Sequence, residues 1–575
     1  MSSEFIKFSS RRSTVYSTGG IICSSQTLAN AAGLTVLQQG GNCVDAAIAV
    51  SAALCVTEPS STGIGGDMFA LYYKSGDHPQ VYGINGTGRA ASKISIDYVK
   101  QKLGNEVKRI PFTSVFAITV PGAIAGWYDA FEKWGSKKVS FEQILTPAIE
   151  LAENGFPVGE ISSNLWANEL QKLQQNIGEN PFLFDNKTPK EGDLVYNKQV
   201  ANTLKLIGKH GKNVFYEGEI AEAIISKTSS KDHKLSMEDL KNHTSTFVDP
   251  IKLNFQDYYI WEIPPNGHGL VALLALGIIQ ELHNEGQIDL YKLQHNSQEY
   301  FHLLIEACKL AFHDAEEYVT DVEFHKIPID DLLDSKYLST RAKLFDSSKV
   351  LDSSKITHGV PDPKFKSDTV YLTVADSNGD ACSFINSVYE GFGTGILVDG
   401  YGFCLHNRGS NFNLTEGIAN SLQGGKRPYH TIIPGLITNK DGSLFASFGN
   451  MGGFAQPVCH VQHVLNLIVF KMTPQQSVDS PRFVLDSDFD PKTDKGRGAN
   501  SPIHTAVTFV GLEEGIDQNV VEGLKQMGHH IKYVTGYKRS LFGRAQIIKK
   551  VSKGDKFVYA GGSDPRADGA ATPFI

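Results

Sequence analysis

The chain has 575 residues, 41% of them apolar and 20% charged, an ordinary globular make-up long enough for several domains at about 150 residues each. A net charge of −8 argues against a nucleic-acid partner, which needs a clustered basic surface. Seven scattered cysteines (Cys23, Cys43, Cys55, Cys308, Cys382, Cys404 and Cys459) include no Cys-x-x-Cys pair, and no apolar run follows Met1-Ser2-Ser3-Glu4, so a cytoplasmic protein is expected.

Taken in order, residues 29–39 predict a helix stopped by Gly40-Gly41. Residues 44–56 predict an Ala-rich helix, apolar nearly all round and therefore buried. Gly63-Ile64-Gly65-Gly66 then leads into a strand over 68–73. Dinucleotide loops run from strand to helix, so this order sets a nucleotide reading aside. A helix is predicted over 139–154 and strand segments over 247–263, ended by Pro264-Pro265. The longest apolar runs, 46–56 and 270–279, fall short of the ~20 residues that cross a bilayer. Phe301, Leu304, Ile305, Cys308 and Phe312 recur at helical spacing as a core stripe, with His302 and His313 beside it as surface or core polar groups. Residues 345–367 turn polar and loop-like, and no linker rich in Pro, Ser or charge divides the chain.

The next stretch carries the chemistry. Val370, Leu372 and Val374 alternate with Thr369, Tyr371 and Thr373, the period of a half-buried strand. Asn378-Gly379 supplies a two-residue hairpin loop, and 381–387 returns as the second strand. That register puts Ser387 opposite Val370 and beside Thr369. A threonine at a new amino terminus is a complete catalyst, because its hydroxyl attacks while its own α-amine takes the proton. The amine has a reference pKa of about 7.7–8.0, whereas an uncut peptide nitrogen has no such basicity. Asp368-Thr369 would therefore have to break first; the plain alternative is a threonine that merely opens a strand.

Further on, Gly391 to Gly395 is followed by no helix and reads as a backbone bend. A strand over 444–448, the run Gly449-Asn450-Met451-Gly452-Gly453, and a helix over 455–470 with Pro457 in its first turn come next. Free N–H groups converge at such a helix start, as an oxyanion requires, although a tight turn looks the same in sequence. Two fragments have metal-like spacing: His460 and His463 with Cys459, and His529-His530. With no third ligand or nearby Glu in sight, both read as structural, and neither metal nor cofactor is expected.

Several of these runs together resemble the γ-glutamyltranspeptidase family. Thr369 to Asp376 with Gly391-Phe392-Gly393-Thr394-Gly395 resembles its self-cleavage site. Gly40-Gly41-Asn42-Cys43-Val44-Asp45-Ala46-Ala47 and Glu58-Pro59-Ser60-Ser61-Thr62-Gly63-Ile64-Gly65-Gly66 resemble its opening signature. Val120-Pro121-Gly122, Arg427-Pro428, Gly452-Gly453 and Asp564-Pro565-Arg566-Ala567-Asp568-Gly569-Ala570-Ala571 follow in family order. The resemblance implies an α+β fold, a four-layer αββα sandwich of the N-terminal nucleophile type. It implies fragments 1–368 and 369–575 that form one catalytic domain and stay together as a heterodimer after autocatalytic scission at Asp368-Thr369. Thr369 would be the nucleophile, Ser387 would orient it, and Gly452 and Gly453 would hold the oxyanion. The substrate would be a small-molecule amide and the acceptor water or an amine; the short apolar runs, not the resemblance, argue against a membrane partner.

The departures from the family are as informative. Thr87 stands where the transpeptidases carry an arginine for the glutamyl α-carboxylate; Arg89 either replaces it from two residues on or sits in a surface turn. Asn411 replaces an Asp that accepts the substrate ammonium, Arg408 replaces a neutral amide residue, and Tyr389 replaces an Asn. His430-Thr431 holds the place of a substrate-contacting Ser-Ser pair, His430 being either titratable near neutrality or a satisfied structural group. These changes are similar to the acylase-like branch of the family. Three functions stay open: cleavage of γ-glutamyl amides such as glutathione, cleavage of dicarboxylic acyl amides, or an unprocessed homologue without catalysis.

Overall fold

Strand Asp368–Ala375 explains the architecture, because it is buried on both faces. Val370, Leu372 and Val374 pack with Ala46, Val50 and other residues of helix Cys43–Thr57, whereas Tyr371 and Ala375 pack with Leu436 and Ile548 of a second sheet. The alternation seen in sequence thus separates two kinds of core, not core from water, which corrects the half-buried expectation. Each large apolar side chain withdrawn in this way contributes roughly 1.5–3 kcal/mol.

The computed structural model describes residues 12–176, 178–351, 368–486, 509–553 and 556–575. Most of the polar connection expected over 345–367 lies outside them, from residue 352 onward. The first antiparallel sheet runs, in spatial order, Ala570–Phe574, Gly20–Ser24, Asp368–Ala375, Ala381–Tyr389, Asp67–Lys74, Gln80–Gly86 and Thr246–Val248. Facing it is Val15–Ser17, Lys556–Ser563, Arg544–Lys553, Leu444–Met451, Gly435–Asn439, Tyr258–Glu262 and Ile251–Phe255. Helices Thr27–Gln38 and Cys43–Thr57 cover the outside of the first sheet; Gly269–Asn284 and Ala455–Ile468 cover the second. This is the four-layer αββα sandwich. Segments from both sides of the 368/369 junction interleave in each sheet, so neither forms a unit of its own.

The hairpin differs from its sequence reading by one residue. Asp376 N–H reaches the Asp380 carbonyl at 3.1 Å, so the loop has three residues, and Gly379 takes the positive φ of 86°. Ala375 then pairs with Ala381 and Val370 with Asn386, which sets Thr369, not Val370, across from Ser387. A bulge between Asp368 and Val370 re-aims the strand at this point.

Candidate active site

Thr369 lies on the inter-sheet face with Tyr371 and Thr373. Thr373 Oγ1 meets Ser447 Oγ of the opposite sheet at 2.6 Å, and the Tyr371 ring lies over Gly449, where a Cβ would come within 2.4 Å of it. Continuing this two-residue step sets Thr369 near Met451, immediately before Gly452-Gly453. Arg544, paired with Met451 in the ladder, extends Nη2 to the Thr369 carbonyl at 3.4 Å.

Thr369 Oγ1 is 2.9 Å from Ser387 Oγ. Ser387 Oγ also accepts the Tyr389 N–H at 2.8 Å and Arg408 Nη2 at 3.2 Å. Ser387 Oγ thus joins the Thr369 hydroxyl to the Tyr389 N–H and the Arg408 guanidinium. Tyr389 reaches this position through a left-handed backbone, φ 79°, a conformation that costs of order 1–3 kcal/mol in a non-glycine residue. Its hydroxyl donates to Asn411 Oδ1 at 2.7 Å, and Asn411 Nδ2 donates to the Tyr429 carbonyl at 2.9 Å. The Asn411 amide is thereby locked, and it is neutral.

Arg408 is wholly buried. Nη1 donates to Thr431 Oγ1 at 2.6 Å and the guanidinium carbon lies 4.0 Å over the Tyr389 ring. Among the described residues no carboxylate pairs with it, and its Nε has no hydrogen-bond partner. Burial pulls its pKa down to about 10. Asp67 and Glu390 act on it from beyond ion-pair distance, so the guanidinium is buried with no carboxylate in direct contact, a costly arrangement.

Asp67, the residue after Gly66, is the nearby acid. Its Oδ1 accepts the N–H groups of Gly88 and Gly122 at 3.0 and 3.2 Å, and its Oδ2 takes His430 Nε2–H at 3.1 Å. Burial alone would raise this carboxyl, but His406, His430 and Arg408 around it win and hold it at about 2. His430 Nδ1 accepts the Ile432 N–H, and burial depresses the ring to about 3, so it is a neutral donor and not a group titrating near pH 7. Gly66 is required for the approach, since a Cβ there would lie 2.2 Å from the Ser387 carbonyl oxygen.

Two expected contacts are placed otherwise. Thr87 is fully buried, its hydroxyl donating to Asn85 Oδ1 at 2.7 Å, and so has no free hydrogen bond to offer a carboxylate. Arg89 Nη2 is taken by both oxygens of Glu323 at 2.8 and 3.0 Å. Gly452 and Gly453 have φ of 131° and 55°, and among the described residues no turn or side-chain acceptor takes their N–H groups. Sequence reasoning missed Asp67 and the buried Arg544–Glu58 pair, 2.9 Å across, whose arginine also holds Ser61 Oγ. Glu58 and Ser61 lie inside a motif already singled out, but nothing local marks Arg544. His460 does have a glutamate after all: Glu262 Oε1 meets its Nδ1 at 2.6 Å, and His463 Nδ1 bonds Ser477 Oγ. A surface groove of about 500 Å³ lined by Glu153, Glu179, Tyr196 and Lys198 touches none of the residues around Thr369.

An internal threonine at the start of a strand between the two sheets of an αββα sandwich, with oriented hydroxyl and N–H partners, defines the N-terminal nucleophile hydrolase class. Within that class the sequence matches the Gamma-glutamyltranspeptidase family over residues 29–574, and the chain belongs to that family. It is 32% identical to the glutathione hydrolase-like YwrD proenzyme of Bacillus subtilis (strain 168), over 97% of this chain and 99% of that protein. Identity to the glutathione hydrolase proenzyme of the same organism is 31%, over 89% of this chain and 85% of that one. Among solved structures, cephalosporin acylase from Bacillus halodurans superposes with a TM-score of 0.86 at 35% identity, covering 99% of this chain and 98% of that chain. The chain is thus an enzyme of this amidohydrolase family.

Proposed function

We propose that the chain is a proenzyme that cuts itself at Asp368-Thr369 and then hydrolyses amides whose acyl group carries a carboxylate and no ammonium. The observation that carries this reading is Arg408, a buried guanidinium two hydrogen bonds from the Thr369 hydroxyl and without a carboxylate at ion-pair distance among the described residues. A substrate carboxylate supplies the direct ion pair that Arg408 lacks. Asn411, neutral and already bonded at both ends, offers nothing to balance an ammonium.

In the first step Thr369 Oγ1 attacks the Asp368 carbonyl and the peptide nitrogen leaves, giving an ester. Water opens the ester, leaving a carboxyl at Asp368 and a free amine on Thr369. In turnover that amine takes the Thr369 proton as Oγ1 attacks the substrate carbonyl, then passes it to the departing amine; water frees the acyl group by the reverse path. Gly452 and Gly453 N–H groups would hold the oxyanion, a contribution of about 3–4 kcal/mol per donor in comparable sites. Thr369, Ser387, Arg408 and Thr431 are all buried in the intact chain, so scission also serves to free the end at Asp368 and open the pocket. The word proenzyme in the names of both Bacillus subtilis relatives supports processing, and the seven unpaired buried thiols fit the expected cytoplasmic compartment.

The second reading, γ-glutamyl hydrolysis or transfer with glutathione as substrate, is favoured by the same relatives' names. A denaturing gel of purified protein, with parallel assays on glutaryl and γ-glutamyl p-nitroanilides, decides. Two fragments with faster glutaryl turnover are expected. One persistent band in active protein would refute the processing step, and faster γ-glutamyl turnover would refute the head-group assignment.

A further inference from the structure

Three ligand-type side chains that the proposed reaction does not use meet on the far side of the second sheet. His302 and Glu306 are one turn apart on helix Gln298–Tyr318, and His529 follows helix Gln518–Gln526. All three are buried, and one ligand atom from each lies within 4.8 Å of the others. His302 Nε2 faces the Asp346 carbonyl at 2.7 Å, so it carries the proton and Nδ1 is a lone pair in the neutral ring. That lone pair is 2.8 Å from His529 Nε2, which must therefore hold the His529 proton. The remaining His529 nitrogen, Nδ1, has no hydrogen-bond partner among the described residues and lies 3.9 Å from Glu306 Oε1. A lone pair without a hydrogen-bond partner among the described residues faces a buried carboxylate.

We propose that His302, Glu306 and His529 form a binding site for a divalent transition metal, Zn²⁺ being the ion that two imidazoles and a carboxylate suit best. The outer contacts are those that orient such ligands: His302 gives its second N–H to a backbone carbonyl, and Glu306 Oε2 accepts the Leu351 N–H at 2.7 Å. Tetrahedral Zn²⁺ with bonds of about 2.0–2.1 Å sets ligand atoms about 3.3 Å apart. One nitrogen of each imidazole and one Glu306 oxygen, which lie within 4.8 Å of one another, would draw in by up to about 1.5 Å, within reach of side-chain rotation. Lys309 is the competitor: its Nζ sits 2.8 Å from Glu306 Oε1 and its side chain keeps 12% exposure, a way out when the ion enters.

The position gives the site a purpose. The same cluster holds Asp346 and Leu351, and Val350 N–H bonds the Met527 carbonyl at 2.9 Å, which ties down the last described stretch before the 368/369 junction. A bound ion would staple that end of the large fragment to the helix and to the His529 turn.

Metal content of full-length, tag-free protein by plasma mass spectrometry, followed by calorimetric Zn²⁺ titration of chelator-treated protein, tests this. About one zinc per chain is expected, with affinity falling at least tenfold in Glu306→Gln and in His529→Gln, and rising in Lys309→Met. Circular dichroism of each variant separates lost binding from lost fold. Absence of zinc from the purified protein with no titratable binding, or equal affinity in wild type and folded Glu306→Gln, would overturn the proposal. Weaker binding in Lys309→Met would overturn it as well.

Discussion

Arg408 and Arg566 are both buried, yet their surroundings are opposite. Arg566 lies between Glu513 and Asp564, its Nη2 2.6 Å from Glu513 Oε2 and its Nη1 3.0 Å from Asp564 Oδ1, with Arg482 and Arg539 bonded to the same carboxylates. Burial pushes both carboxyls up, but the surrounding arginines hold them below their ordinary range and they raise Arg566 in return. Arg408 has hydroxyls, an aromatic face and, among the described residues, no carboxylate at ion-pair distance, Asp67 and Glu390 acting only from further off. A self-sufficient charge cluster serves the fold; an incomplete one beside a nucleophile is poised for a ligand. The difference separates structural from functional arginines where burial alone cannot.

The largest effect is expected at the hydroxyl to which the Arg408 contacts lead. Thr369→Ala should remain a single chain on a denaturing gel and lose at least ~10⁴-fold in kcat/KM, the scale seen when an activated nucleophile is deleted. The arginines then part ways in denaturant unfolding. Arg566→Met should lose ~3–5 kcal/mol, because it takes the shared cation away from two buried carboxylates, whereas Arg408→Met should lose clearly less, since it leaves only hydroxyls, chiefly that of Thr431, without a donor. A loss in Arg408→Met as large as in Arg566→Met would erase the contrast.

Asp67 gives a smaller, pH-dependent effect. Its folded pKa of about 2 lies below the ordinary 3.8, so its stabilisation is complete above about pH 5 and is lost as pH falls from there through about 2. The amount is on the order of 2 kcal/mol. Unfolding followed between pH 6 and pH 2.5 should show a shallower acid limb in Asp67→Asn. The smallest effect belongs to Arg89→Ala. Its partner Glu323 is 46% exposed, and surface pairs contribute ~0–1 kcal/mol, so activity should change less than about twofold.

How far the site was legible depends on the range of each contact. The Thr369–Ser387 pairing is local to one hairpin and could be read, though Asn378-Gly379 suggested a two-residue loop where Gly379 alone takes positive φ. The sandwich and the family emerged from motifs spread along the chain, because each is a sharp turn or close backbone approach with few residues able to replace it. Asp67 was missed since its partners Gly88, Gly122, His406 and His430 are separated from it in sequence and only the fold assembles them. Thr87 matches a pocket position of the family, and Arg89 could be read as a pocket or a surface group; Asn85, two residues away, bonds the first, and Glu323, far off in sequence, bonds the second. The change from a neutral residue to Arg408 was visible, but the missing ion-pair partner was not.

The central claim is that Arg408 waits for a substrate carboxylate. It is tested most directly by kcat/KM for glutaryl p-nitroanilide against its uncharged glutaramyl isostere, in wild type and in Arg408→Met. The account predicts a preference of ~10²-fold or more for the charged acyl group in wild type, of the size expected for losing a charge-assisted bond to a buried partner, and its collapse in the variant. Equal rates in wild type, or a preference that survives in Arg408→Met, would contradict it.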